Sequence, residues 1–375
     1  MKSRMTLGLL GVFAFLVCWP DHAASLEVER AAAFLQGLRD HPDSMETFID
    51  RDDLEISRRL GIRYPEAPCK SLISWDLTPQ ARARLRQGGL DGQFAMEEID
   101  DRYSRLILFP TDTTAARSWI FRDNLQVSSI LFQVRGWKQI ESPHFRFFVS
   151  DSTMFHPANI EALESFLADM ALRLELSEAD MNRLAREKIY YCFCSNQKEI
   201  EDLTGFEARG MYMVSHDIVV STYSAHYHEL AHLLINFKLK NPHLYTHPIF
   251  QEGFAVAAGG RGGKSPDILH QLGLSIHRQG WLSLEDLLGV EDFYQVNASM
   301  SYPGSSVYNR FLLETFSLDD YLKLYARYGG DAQALFSLKV NPAELPDEAA
   351  TATAVPSEGC PANGISPLTV QIRLR

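Results

Sequence analysis

The sequence predicts an α+β protein, and three observations carry that prediction. Leu26, Ala31, Leu35 and Leu38 recur near helical spacing at the start of the folded chain. From Tyr103 to Ser150 the apolar period shortens toward two, the signature of strands whose side chains alternate between faces. Beyond Tyr223 helical periodicity returns and dominates to about Leu338.

Taken in order, the elements begin with a secretory signal over residues 1–24. Lys2 and Arg4 precede an apolar run from Met5 to Trp19, and Ala23, Ala24 and Ser25 supply a small-residue exit. Cleavage after Ala24 is expected, with an uncleaved anchor as the alternative because His22 is not small. Cys18 does not make a lipoprotein site, since Val17 stands where a small residue is needed. A helix is expected over 26–39 and a second from Met45 to Leu60, after which Pro65 and Pro68 break the pattern. A further helix from Pro79 to Gln87 ends at Gly88-Gly89. Strands follow at Arg105–Phe109, Ser118–Phe121 and Val127–Val134. Residues 25–140 therefore read as an N-terminal α+β accessory domain without a catalytic motif. Arg117, Trp119 and Trp137 are its candidate binding-face residues, although scattered aromatics more often belong to a core.

A second domain spans 141–338. It opens with a strand from His144 to Ser150, helices near 157–174 and 178–187, and a buried strand from Lys188 to Cys194. A hairpin is expected from Met211–Val214 and Asp217–Thr222, and helices follow. Residues 339–375, rich in Pro, Ala, Thr and Glu, read as an irregular tail in which Thr369–Leu374 alternates and offers a late strand.

Composition narrows the classes. The chain has 375 residues, 46% of them hydrophobic and 22% charged, and a net charge of −12. Such an acid excess disfavours binding to a phosphate backbone, so no nucleic-acid partner is expected. No later segment holds 18 uninterrupted apolar residues, so no membrane span is expected in the mature chain. Cys69, Cys192, Cys194 and Cys360 remain after cleavage. Four cysteines in an oxidising compartment allow three pairings that sequence cannot separate, and burial as small hydrophobes is the other reading. Oligomeric state is not legible.

The sharpest chemical signal is His228-Glu229-Leu230-Ala231-His232. Histidines at i and i+4 of a helix share a face and can meet on one Zn²⁺. Glu229, one residue on, lies beside such a metal and can take a proton from its water. No Gly or Pro interrupts Tyr223–Phe237, and Leu230, Leu233, Leu234 and Phe237 supply an apolar side. Twenty residues after His232 stands Glu252, in Phe250-Gln251-Glu252-Gly253-Phe254-Ala255, a second apolar helix with one acid in its first turn. A catalytic zinc takes three protein ligands and keeps one position open, and two His with one Glu is such a set. Gly253 would allow close helix approach beside the acid.

The HELAH and QEGFA motifs together resemble the gluzincin zinc peptidases, in particular the peptidase MA-like relatives of thermolysin and aminopeptidase N. The resemblance covers about Phe145 to Tyr328. It implies a thermolysin-like catalytic domain, mostly helical with a small mixed sheet. It also implies zinc as cofactor, His228, His232 and Glu252 as metal ligands, and Glu229 as general base. An extended peptide or protein substrate would lie along the hairpin edge near Met211–Val220. The segment Met300–Tyr308 resembles the family's tyrosine-bearing turn before a late helix, which makes Tyr302 the candidate oxyanion donor and Tyr308 the second. One position departs from the pattern: Val256 stands where thermolysin has an aspartate that orients a zinc histidine, and such outer groups tune affinity and activity. His226 and His247 read as polar neighbours of the site. The expected activity is zinc-dependent hydrolysis of peptide bonds, with a zinc-holding, inactive relative that binds peptides or envelope proteins as the alternative.

Overall fold

The computed structural model describes residues 5–9, 26–40, 45–51, 60, 92–110, 117–214, 217–240 and 245–330. The chain is a mixed α+β protein that divides into two compact units, Met1–Pro242 and His243–Arg375. The expected helix at Pro79–Gln87, the tail from 339, Cys69 and Cys360 lie outside the described residues.

The first unit holds two five-stranded sheets. One is an antiparallel meander of β1 (Met5–Leu9), β2 (Gly92–Glu98), β3 (Tyr103–Pro110), β4 (Arg117–Arg122) and β5 (Leu125–Val127). Thus part of the apolar run expected as a secretory signal stands as a strand beside β2. Helix α1 (Val28–Asp40) packs its apolar stripe on this sheet. Phe34, fully buried, meets the rings of Trp119 and Phe121 edge-on at 5.5 and 5.0 Å. Trp119 is thereby a core residue, and Trp137 packs partly buried on the core of the second sheet. Of the helix expected over Met45–Leu60, residues 45–51 and 60 are described; Glu46–Phe48 is a short 3-10 turn, and Ile49 after it is extended and bridges to Gln126.

One expectation here is corrected. Val127–Val134 is not a strand: β5 ends at Val127 and α2 (Ser129–Val134) follows. Ser128 decides the matter, since its hydroxyl accepts the Leu131 amide and so caps the new helix. Ile130, Phe132 and Val134 are all buried, which explains why the stretch imitates a strand in sequence.

The second sheet is mixed, in the order β6-β7-β8-β10-β9, from β6 (Lys138–Glu141), β7 (Phe145–Val149), β8 (Ile189–Phe193), β9 (Gly210–Met213) and β10 (Ile218–Ser221). β7, β8 and β10 run parallel, and β6 and β9 close the edges antiparallel. Parallel strands are covered on both faces, and the sequence says so in continuous apolar runs such as Ile189-Tyr190-Tyr191-Cys192-Phe193, every residue of which is buried. Alternation sends Tyr190, Cys192 and then Cys194 to one face, into a core with α2 and α5 (Gln197–Thr204). Cys192 and Cys194 are free and buried there, and burial raises both thiols, Cys194 to about 12. The other face carries Tyr191 and Phe193. The helices expected near 157–174 and 178–187 are α3 (Ala158–Arg173) and α4 (Glu178–Glu187), the latter entered through a reciprocal Ser177–Asp180 capping box. The unit ends with α6 (Tyr227–Leu239), whose first histidine follows the hairpin β9–β10 by seven residues.

Among its described residues, the second unit is almost wholly helical. A two-stranded ribbon of β11 (Tyr245–Thr246) and β12 (Gly329–Gly330) brackets α7 (Pro248–Gly259), α8 (Pro266–Arg278), α9 (Val290–Gln295), α10 (Ala298–Thr315) and α11 (Leu318–Arg327). The central pair is α7 on α10, and Gly253 sits at their crossing. A Cβ there would come within 2.0 Å of Asn309 Nδ2 and 2.7 Å of the Ser305 carbonyl. Asn309 has no room to yield, because its amide donates to the carbonyls of Ile249 and Ser305 while its oxygen accepts from Tyr321. Gly253→Ala is therefore expected to destabilise the protein by about 3 kcal/mol through overpacking and a broken buried hydrogen bond. A urea midpoint equal to that of the wild type would refute this packing.

At the start of α7, Pro248 occupies the first turn and His247 Nδ1 accepts the Ile249 amide. His247 is fully buried, and burial pulls its pKa down to about 4. The unfolded chain takes up this proton near pH 6.5, the native chain only near pH 4. Stability therefore falls as pH drops from about 6.5 to 4, by at most about 3 kcal/mol from this ring. His247→Asn keeps a capping acceptor without a titrating ring, and its melting temperature should fall less between pH 7.5 and pH 5 than that of the wild type.

Candidate metal centre

Helix α6 sets two imidazoles on one face. His228 and His232 are both buried, and their Nε2 atoms face each other at 3.3 Å. Two nitrogens bound to one tetrahedral zinc at about 2.0–2.1 Å stand roughly 3.3–3.4 Å apart, so the spacing is that of a shared ion. Glu252, in the first half of α7, completes a group whose ligand atoms all lie within 4.8 Å of one another. His228, His232 and Glu252 can thus hold a metal ion. Two imidazoles and a carboxylate are donors that several divalent transition ions accept, Zn²⁺ among them.

Glu229 stands in the first turn of the same helix but outside that ligand group. One of its oxygens, Oε2, accepts the backbone amide of Tyr212 at 2.8 Å. Tyr212 lies in β9, the open edge of the mixed sheet. Its amide points away from β10, as the bond to Glu229 demonstrates, and strand alternation directs the backbone of Gly210 the same way. The carboxylate is therefore tied to an edge strand of this sheet.

Around Glu229 the structure gathers residues that periodicity did not single out. His226 precedes α6, with its Nδ1 2.8 Å from Ser221 Oγ and its Nε2 3.9 Å from Glu229 Oε1. Tyr191, fully buried in β8, accepts the His226 backbone amide and donates to the Tyr223 carbonyl. Burial, with Glu229's charge adding to it, pushes the Tyr191 hydroxyl far up. The pKa of His226 is pulled down to about 4 by burial, against the opposing pull of Glu229.

No protein-family profile, curated protein or solved structure matches this chain.

The remaining candidates lie on helices of the second unit. Tyr302 is not on a turn before a late helix; it lies within α10, which starts four residues earlier at Ala298. Its ring packs 5.5 Å from Phe293, and the Arg261 guanidinium sits 3.9 Å above it. Asn297 caps α10 by accepting the Ser299 amide, and that cap explains the early start despite Pro303 within the helix. Tyr308 is buried, and its hydroxyl meets no hydrogen-bonding group. Tyr325, by contrast, is a tyrosine whose ionisation is opposed first by burial and then by the charge of Glu252. At position 256 the valine is fully buried, so no carboxylate is supplied there. Among the described residues, no helix is long and apolar enough to cross a membrane.

Proposed function

We propose that this protein is a zinc-dependent peptidase of the gluzincin kind, acting outside the cytoplasm after removal of residues 1–24. The observation that carries the reading is the pairing of His228 and His232 at metal-sharing distance with Glu229 one residue along, its carboxylate held by an edge-strand amide. A parallel core closed by an antiparallel edge strand just before α6 accords with the thermolysin-like arrangement that the motifs resemble.

In this reading His228, His232 and Glu252 hold the ion, which when bound polarises the scissile carbonyl and makes water more acidic. The resemblance places an extended substrate along β9, whose Tyr212 amide is held by Glu229 and is therefore not one of the groups the substrate pairs with. Glu229 takes the proton of the attacking water on Oε1, the oxygen not committed to Tyr212, and returns it to the leaving amine. On the family resemblance Tyr302 would be the oxyanion donor, but its place inside α10 departs from the turn on which that role rests. A second reading, a zinc-holding protein that binds peptides without cutting them, is favoured by Val256, whose side chain cannot orient a histidine.

The test is cleavage of an unfolded protein substrate by the zinc-loaded chain. Hydrolysis that stops with 1,10-phenanthroline and returns with added zinc supports the peptidase. One zinc per chain with no hydrolysis of any unfolded protein or peptide library supports the binder.

A further inference from the structure

The residues packed beneath the Glu229 carboxylate form a cradle for one side chain, His226. Three separate features fix that ring. Gly210 leaves the space it occupies, since a Cβ on Gly210 would lie 2.1 Å from His226 Nδ1 and 2.3 Å from Cε1. Ser221 Oγ meets Nδ1 at 2.8 Å. Tyr191 Oη, at 3.0 Å, takes the His226 backbone amide and holds the residue against the sheet. These partners come from three different strands, so the placement is built by the fold and not by α6 alone.

The Ser221 hydroxyl bears on which ring nitrogen carries hydrogen. Its oxygen accepts the Tyr223 amide at 2.9 Å, and within reach of its single proton are the Arg209 carbonyl at 3.4 Å, the Tyr191 hydroxyl and His226 Nδ1 at 2.8 Å. Where Nδ1 accepts that proton, an uncharged His226 carries its hydrogen on Nε2, the nitrogen facing Glu229 Oε1 at 3.9 Å. The opposite tautomer would turn a nitrogen lone pair toward a carboxylate.

We propose that His226 is a positioning residue for Glu229. The edge-strand amide of Tyr212 holds one carboxylate oxygen at 2.8 Å, and the Nε2–H of His226 faces the other across 3.9 Å, beyond a hydrogen bond, so the ring limits by electrostatic attraction and bulk how far the carboxylate can swing out of line with the attacking water. This rests on the peptidase reading for its kinetic consequence, but not for the tautomer. Misplacing a catalytic group by about 1 Å can cost on the order of a hundredfold in rate.

The test compares His226→Ala, His226→Gln, Gly210→Ala and Ser221→Ala in the zinc-loaded full chain with an internally quenched peptide substrate. His226→Ala is expected to lower kcat by about tenfold to a hundredfold, with KM and zinc content little changed. His226→Gln, whose amide nitrogen can replace Nε2, should recover most of that loss. Gly210→Ala, which evicts the ring without altering it, should resemble His226→Ala. A His226→Ala variant with wild-type kcat, or a glutamine variant as slow as alanine, overturns the proposal. Ring-nitrogen NMR of the wild type supplies a readout that needs no turnover: His226 should show the Nε2–H tautomer and lose that preference in Ser221→Ala. An Nδ1–H ring overturns the assignment even if the chain cleaves nothing. A wild type without hydrolysis but with the Nε2–H ring and its Ser221 dependence removes the peptidase reading alone.

Discussion

Glu229→Gln is expected to reduce peptide hydrolysis by about a thousandfold or more while leaving about one zinc per chain. Glutamine keeps the shape of the side chain, and its amide oxygen can still accept the Tyr212 N–H, so α6 and β9 stay in register. What it loses is the capacity to take a proton. General-base contributions run to about 10²–10⁴-fold, and here the same group must also deliver the proton to the leaving amine, so the loss belongs at the upper end. The ligand group does not include Glu229, and metal retention should therefore be complete. Metal analysis and single-turnover rates on the same preparation separate the two effects. A glutamine variant that cleaves at the wild-type rate would remove Glu229 as base, and one that loses zinc as well would make it part of the metal shell.

The second large effect is expected at the ligands. His228→Ala, His232→Ala and Glu252→Ala should each bring bound zinc from about one per chain to a small fraction and abolish hydrolysis. Zinc that binds only the native state adds RT ln(1 + [L]/Kd) to stability, about 2.7 kcal/mol at a hundredfold excess over Kd. Wild-type protein should therefore melt several degrees higher with zinc than with chelator, and the three variants should show no such difference. Alanine at a buried histidine also leaves a cavity, so the decisive quantity is the zinc-induced shift within each variant and not its absolute melting point. A wild-type chain that stays folded yet takes up no zinc would show the histidine pair to be incidental packing.

How much of this was legible in sequence depended on whether the deciding contact was local. HELAH places His228 and His232 on one face through helical spacing alone, and the 3.3 Å approach follows from it. The buried strand Lys188–Cys194 and the helices near 157–174 and 178–187 were legible from their local patterns, and the structure places β8, α3 and α4 there. α2 was misread because Ile130, Phe132 and Val134 alternate in burial as a strand would; the single informative residue was Ser128, a helix cap within an apolar stretch. α10 was placed too late because the turn was expected to run to Tyr308, whereas Asn297 caps the helix and Pro303 lies inside it, in its second turn. The cradle of His226 was beyond reach, since Gly210, Tyr191 and Ser221 are far apart in the chain and meet only through strand order. The nearest signal was a lone glycine opening a strand just before the metal helix, which marks close approach by something else.

The bond between Tyr212 and Glu229 also ties the reading frame of β9 to the activity of a helix residue. Side chains and backbone groups of a strand exchange directions at every step, so sliding β9 by one residue against β10 would turn the Tyr212 amide inward and present its neighbour instead. It would also carry Gly210 out from under His226 and put a bulkier residue, Arg209 or Met211, in its place. A one-residue insertion or deletion within Gly210–Met213 should thus silence the protein without touching a motif residue, whereas a change of two residues preserves the phase. A two-residue step would restore the amide's direction but not the glycine under His226, so both the phase and the length of this strand are held, a constraint that two short motifs do not reveal.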